Sequence, residues 1–221
     1  MHVSEALRAR QSTRAFLDRA VERARIERIL DLARHAPSGV NIQPWEVAVV
    51  SGARKRELCD RIEARFRSGE RGAPEYRYYP SQWQGVFRQR RKACGLQLYS
   101  ALGIGRDDRQ RQNEQWAANY RAFDAPVMLL FFMDSSLETG AYLDYGMFLQ
   151  SLMLAALEEG LATCVQASLA EYPELVRAAL GYPSEMRLIG GMALGYADSS
   201  APVNGYRTPR EAVDSFTRFF D

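Results

Sequence analysis

The chain carries few groups able to react unaided: two histidines, His2 and His35, and three scattered cysteines, Cys59, Cys94 and Cys164. No G-x-S-x-G elbow, P-loop or G-x-G-x-x-G opening a helix after a strand is present, so hydrolase, kinase and Rossmann chemistries lose support. What the chain does offer is hydrogen-bond donors. Arg10-Gln11-Ser12-Thr13-Arg14 sets two guanidinium groups and a hydroxyl in one short run, a set able to fork onto a phosphate. Taken alone, the same run reads better as an exposed basic turn with Ser12 or Thr13 as a local cap. The loop Pro37-Ser38-Gly39-Val40-Asn41-Ile42-Gln43-Pro44-Trp45 offers main-chain NH groups and two side-chain amides, which match a ring edge that both donates and accepts. It also reads as a helix stop in which Asn41 and Gln43 satisfy nearby backbone and Trp45 fills the core. Near the other end, Arg207 and Arg210 can join the first cluster around one phosphate, or belong to a solvated tail. A protein rich in binding groups and poor in nucleophiles suits redox chemistry on a bound flavin, whose ring carries the electrons.

These groups need elements to hold them. Ser4 is expected to cap a first helix ending near Arg10, and Ile26, Ile29, Leu30 and Ala33 recur at helical spacing in a second, stopped by Pro37-Ser38-Gly39. Glu46 to Val50 reads as a buried strand, and Leu58, Ile62 and Phe66 mark the apolar face of a third helix. From Gly69 to Ala118 the periodicity fades into an aromatic-rich insertion in which only Arg90 to Leu102 reads as helix. Its Tyr79, Trp83, Phe87 and Trp116, with Phe123 beyond, are candidate walls for a flat acceptor, or simply cover for the core. Pro126 to Met133 is a fully buried strand, and Tyr142 to Glu159 a helix apolar nearly all round, which needs cover on every side. Leu161 to Ser168 reads as a strand, Pro173 opens a helix that Gly181 stops, and Leu188 to Tyr196 is the last strand. Gly190, Gly191 and Gly195 sit inside that strand pattern and permit close backbone packing. Val213, Phe216, Phe219 and Phe220 make a terminal apolar tail that must dock, with another subunit as the candidate surface. Cys164, in an apolar strand, reads as an inert buried thiol.

The bulk numbers bound the answer. A composition 47% hydrophobic and 25% charged is that of a globular protein, and 221 residues fit one domain, 1–221, with the insertion at about 69–118. A net charge of +2 gives no global field toward nucleic acid or an anionic membrane. A nucleic-acid or anion-binding module on 54–71 and 88–92 is the rival from another class, but Glu57, Asp60, Glu63 and Glu70 interrupt the first run as in a solvated helix face. The cysteine spacing fits neither a disulfide framework nor a metal site, which points to a reducing, cytoplasmic location. The first residues lack a signal-peptide pattern, and the longest apolar run, Val127 to Met133, is far short of the roughly 20 residues that cross a bilayer.

Arg10-x-Ser12-x-Arg14, then Pro37-Ser38-Gly39-x-Asn41-x-Gln43-Pro44-Trp45, then Gly160-Leu161 before a strand, then Arg207 and Arg210, in that order, resemble the FMN-dependent nitroreductase family. Leu143 to Gln150 with Leu161 to Gln166 is similar to its nitrobenzoate-reductase branch. The resemblance implies an α+β fold, a small mixed, mainly antiparallel sheet wrapped by helices, in a homodimer with exchanged C-terminal tails. It implies FMN, with Arg10, Ser12 and Arg210, joined by Arg207, at the phosphate, and Gln11 and Arg14 near it or the pyrimidine ring. Pro37, Ser38, Gly39, Asn41 and Gln43 would come from one side of the dimer, and Gln166, Ala167 and Ser168 would sit by flavin N5. The implied reaction is ping-pong: NADH or NADPH gives hydride to N5, and an electron-poor acceptor, a nitroaromatic or quinone, then takes it from the same face. Dehalogenation or dehydrogenation of an aromatic by the same flavin is the alternative within the family. Two positions depart from the pattern: Ala167 and Ser168 stand where many members carry an acidic residue and a glycine, and Gln11 stands at the second basic position.

Overall fold

The computed structural model describes residues 1–220. Its centre follows from one run of side chains. In β2 (Val127–Asp134) every residue from Val127 to Met133 is buried. A strand covered on both faces gains about 1.5–3 kcal/mol per large apolar side chain relative to exposure, and so takes an interior place in its sheet. β1 (Glu46–Ser51) pairs with it on one side and β4 (Met186–Gly195) on the other; β3 (Ala162–Gln166) lies beyond β4, giving the order β1-β2-β4-β3. All three pairings are antiparallel. The parallel component of the expected mixed sheet is a single bridge between Ser12 and Thr163.

Alternate residues of β2 serve two cores. Met128, Leu130 and Phe132 pack with Leu58 and Ile62 of α3 (Gly52–Arg67) and Val176 of α7 (Pro173–Leu180). Val127, Leu129, Phe131 and Met133 pack with Ile26 and Ile29 of α2 (Arg23–Ala33) and Tyr145, Phe148 and Leu152 of α6 (Thr139–Glu158). α6 is only partly covered on its far side among the described residues: Leu143 is 72% exposed. The tail residues Val213, Phe216, Phe219 and Phe220 are likewise exposed. Gly191 is required by contact, since a Cβ there would lie 2.4 Å from Leu169 Cδ1 and 2.9 Å from the Leu129 carbonyl oxygen.

Several boundaries differ from those the sequence suggests. α1 (Val3–Ala9) is preceded by His2, whose main-chain NH donates to Glu5 at 3.0 Å, so Ser4 lies inside the helix and is not its cap. β3 ends at Gln166, and a 3-10 turn over Ala167–Ala170 follows. The insertion holds two helices, α4 (Gly85–Ala101) and α5 (Arg109–Ala117), where the pattern offers one. α5 is polar up to Trp116 and Ala117 at its end and has no apolar period to read; its start is marked by Asp108, which accepts from Arg111 N at 3.0 Å.

Neither insertion helix buries much: α4 has no buried residue and α5 only Ala117. The insertion is anchored by its first limb instead. Ala73 N donates to the Glu171 carbonyl at 2.8 Å, Glu75 pairs with Arg177 at 2.7 Å and accepts from Leu188 N at 3.0 Å, and the Tyr76 hydroxyl donates to the Ile189 carbonyl. Among the described residues no helix is long and apolar enough to cross a membrane.

Candidate active site

The edge of β3 organises the site. The extended segment after α1 runs beside it, with Thr13 N donating to the Thr163 carbonyl at 3.0 Å, and then crosses to the end of β4, with Leu17 N on the Tyr196 carbonyl at 2.9 Å. The C-terminal loop is fastened to the same segment by Asn204. Its Oδ1 accepts from Arg14 N at 2.9 Å, and its Nδ2 donates to the carbonyls of Ala15 and Asp198, each at 2.8 Å. Gln11 Nε2 adds a bond to the Asn204 carbonyl at 3.1 Å.

This junction brings the distant arginines together. The pKa of half-buried Arg10 is drawn below the ordinary arginine value, first by burial and then by repulsion from Arg210 and Arg207. None of the three pairs with a carboxylate among the described residues. Arg207 caps α1 instead, donating to the carbonyls of Arg8, Ala9 and Arg10 at 3.3, 2.8 and 3.1 Å, where the helix end presents partial negative charge. Arg210 donates to Thr208 Oγ1 at 2.9 Å. Like charges gathered without acids leave a locally positive corner, chemistry that suits an anion.

Beside this corner opens a cleft of about 840 Å³. Arg14 and Cys164 to Ser168 form its floor, and Tyr79, Trp83, Trp116 and Phe123 stand in its walls. Gln166 is 4% exposed; its Nε2 donates to the Asn119 carbonyl at 2.8 Å, while its Oε1 has no partner. The Ser168 hydroxyl is also buried and unpartnered, so two of the three such side-chain atoms among the described residues belong to this floor. Buried polar atoms are nearly always satisfied, and their clustering here marks a place for a ligand. Arg14 lies 6.0 Å from the centre of the Phe123 ring. Cys164 is 3% exposed and burial raises its thiol pKa, with Arg14 opposing, which leaves it protonated and inert.

Phe87 is not brought to the cleft. It falls in the first turn of α4, 62% exposed, with Arg90 over its ring, whereas Trp83, just before the helix, faces the cavity. The Pro37–Gln43 loop also lies apart from the cleft of its own chain. Val40, Asn41 and Gln43 have φ of 44°, 62° and 48°, and Val40 is 97% exposed. A β-branched residue held left-handed costs about 1–2 kcal/mol, an outlay typical of functional loops. The loop is held by the buried Asp144 carboxylate, which accepts from Gly39 N at 3.1 Å, and by Ser38 Oγ, which accepts from Gln43 N at 3.0 Å. Trp45 stacks on Phe148 at 4.7 Å.

Sequence reasoning gives no role of their own to Asn119, Asp144, Glu171 and Asn204. Asp144 alone leaves a signal, an acid on an otherwise apolar helix. Glu171, on the cleft wall, accepts from the Tyr120 hydroxyl at 2.6 Å, which together with burial holds that phenol neutral.

A model of the nitroreductase family matches residues 7–196. The chain is 36% identical over 218 residues to a nitrobenzene nitroreductase of Ectopseudomonas oleovorans, covering 98% of this chain and 96% of that one. The crystal structure of the FMN and NADPH-dependent nitroreductase NfnB from sphigopyxis sp. strain HMH matches with a TM-score of 0.97 at 42% identity, covering 100% of both chains. The FMN-dependent nitroreductase NfnB from Mycobacterium smegmatis, in complex with NADPH, matches with a TM-score of 0.94 at 35% identity, covering 99% of this chain and 97% of that one.

Proposed function

Because the chain belongs to the nitroreductase family, we propose that it is a cytoplasmic, homodimeric FMN oxidoreductase that moves reducing equivalents from NADH or NADPH to an electron-poor aromatic, a nitroaromatic or a quinone. The observation that carries this reading is the meeting of Arg10, Arg207 and Arg210, from opposite ends of the chain, beside a cleft floored by two unpartnered polar side chains.

The residues present fit FMN. Arg10, Ser12 and Arg210 hold its phosphate, and Arg207 stiffens the corner from the end of α1. Gln166 and Ser168 offer the ring's polar edge the acceptor and hydroxyl they leave unused. With Ala167 in place of an acid, donors toward N5 come from the main chain at 167–168. Bound there, FMN supplies two-electron chemistry at N5. Arg14, on the floor of the cleft, would set a fixed positive charge beside the bound ring and so favour added negative charge there. The walls of Tyr79, Trp83, Trp116 and Phe123 orient a flat acceptor.

The exposed side of α6, the apolar tail and the strained Pro37–Gln43 loop are surfaces that one chain leaves uncovered. A second copy covers the first two, and the loop amides close the partner's cleft. Purified protein is expected to be yellow, to bleach anaerobically with a nicotinamide nucleotide, to recover its colour with nitrobenzene, and to give parallel lines in double-reciprocal plots. A colourless chain that takes up no added FMN defeats the reading.

A further inference from the structure

Two guanidinium groups on the cleft walls are unclaimed. Arg77 and Arg91 both line the cavity, and neither has an ion-pair or hydrogen-bond partner among the described residues. Their neighbours differ: Arg90 pairs with Glu211 at 2.9 Å, and Arg177 with Glu75 at 2.7 Å. The sole carboxylate on the cleft, Glu171, already accepts from Tyr120. The cavity therefore presents Arg14, Arg77 and Arg91 against one occupied acid.

Arg91 is also held in place. Its guanidinium sits 5.5 Å from the centre of the Trp83 ring, which packs at 5.6 Å on Tyr79, itself 4.7 Å from Tyr78. Cation–π stacking reduces the freedom that a lone surface arginine would lose on binding. Arg77 stands on the limb anchored through Glu75 and Tyr76, so its backbone is fixed from the sheet side.

Resting on the flavin reading, we propose that Arg77 and Arg91 recognise the 2′-phosphate of NADPH and make it the preferred donor over NADH. Depth decides between this phosphate and a charge on the acceptor. The floor residues are buried or half-buried, with Cys164 at 3% and Gln166 at 4% exposure, whereas Arg77 and Arg91 are exposed. A single-ring acid lying on the floor keeps its charge close to the flavin. A dinucleotide with its nicotinamide on the floor extends outward, and the one group distinguishing NADPH from NADH lies at its far end. A planar guanidinium fork suits that dianion.

The test uses the flavin-loaded protein and two ligands that cannot reduce it, 2′-phospho-ADP-ribose and ADP-ribose, titrated by calorimetry at low and physiological salt. The wild type is expected to bind the phosphorylated ligand about tenfold or more tightly than the other, as one good charge-assisted contact allows. Arg77→Gln combined with Arg91→Gln should bring the ratio near one, and stopped-flow bleaching should lose its NADPH preference in parallel. Arg88→Gln, on α4 but outside the cleft, should keep the wild-type ratio. An unchanged ratio in the double variant overturns the assignment. So does weakened binding of 4-nitrobenzoate relative to nitrobenzene with the ratio intact, which would give the arginines to the acceptor. The flavin absorbance of each sample separates the levels: a colourless wild type defeats the flavin reading and this inference with it, whereas a yellow double variant with an unaltered ratio defeats the inference alone.

Discussion

The junction between the two ends of the chain hangs on one side chain. Replacing Asn204 by Ala removes the acceptor of Arg14 N and both donations to the Ala15 and Asp198 carbonyls. At about 1 kcal/mol net per intramolecular hydrogen bond, with the stranded main-chain groups half-buried, the three losses come to about 3 kcal/mol. In a chain of this size each kcal/mol moves the melting temperature by about 2–4 °C, so a fall of about 6–12 °C is expected. Asn204→Asp refines the test, since it keeps an acceptor for Arg14 N but sets a carboxylate oxygen against two carbonyls; it should be at least as damaging as Ala. Arg10, Ser12 and Arg14 follow this segment, so FMN should dissociate about tenfold more readily, an effect of about 1.4 kcal/mol. Thermal melts followed by circular dichroism and the fluorescence of released FMN measure the two effects. A melting temperature within about 2 °C of the wild type, below one hydrogen bond's worth, with FMN retained, would refute the view that Asn204 joins the phosphate corner.

Arg10→Ala and Arg210→Ala should each weaken FMN binding about 10- to 100-fold, as loss of one charge-assisted phosphate contact requires, and the affinity should fall with added salt, which fluorescence titration reads directly. Arg14→Ala should lower the flavin's reduction potential; dye equilibration giving an unchanged potential would remove its electrostatic role. Gly191→Ala should destabilise the fold by about 1–3 kcal/mol, because the new Cβ would meet Leu169 Cδ1 at 2.4 Å and the Leu129 carbonyl oxygen at 2.9 Å; denaturant unfolding measures it.

The strands were legible from their apolar runs, although β1, expected to be buried, buries only Val50. The stretch 126–133 announces a strand buried on both faces, and β2 is one. Pro173 and Gly181 bracket α7 for local reasons of φ, and Gly181 does adopt φ 77° as its stop. What escaped was whatever leaves no period. α5 is polar until its last two residues, and Asn204 reads as one polar loop residue because its partners at positions 14 and 15 are remote in sequence. Phe87 and Trp83 look alike in sequence; only the start of α4 at Gly85 turns one to solvent and leaves the other at the cleft. The Pro37–Gln43 loop, whose amides the sequence offers to a ring edge, does not line the cleft of its own chain, a spacing in three dimensions that the linear pattern does not show.

The arginine corner shows why its members are not equivalent. Arg207 spends its donors on three carbonyls at the end of α1, and Arg210 spends one nitrogen on Thr208, so each offsets part of its charge with fixed dipoles. Arg10 has no such partner and is the half-buried one, which is why burial and both neighbours depress its affinity for a proton. A dianionic phosphoryl group placed there reverses the sign of that interaction, relieving repulsion at the same time as it forms new hydrogen bonds. FMN should therefore stabilise the fold beyond simple occupancy of the cleft, with inorganic phosphate reproducing part of the rise in melting temperature and riboflavin, which lacks the phosphate, reproducing little of it. Equal stabilisation by riboflavin and FMN would mean that the ring contacts, and not Arg10, anchor the cofactor.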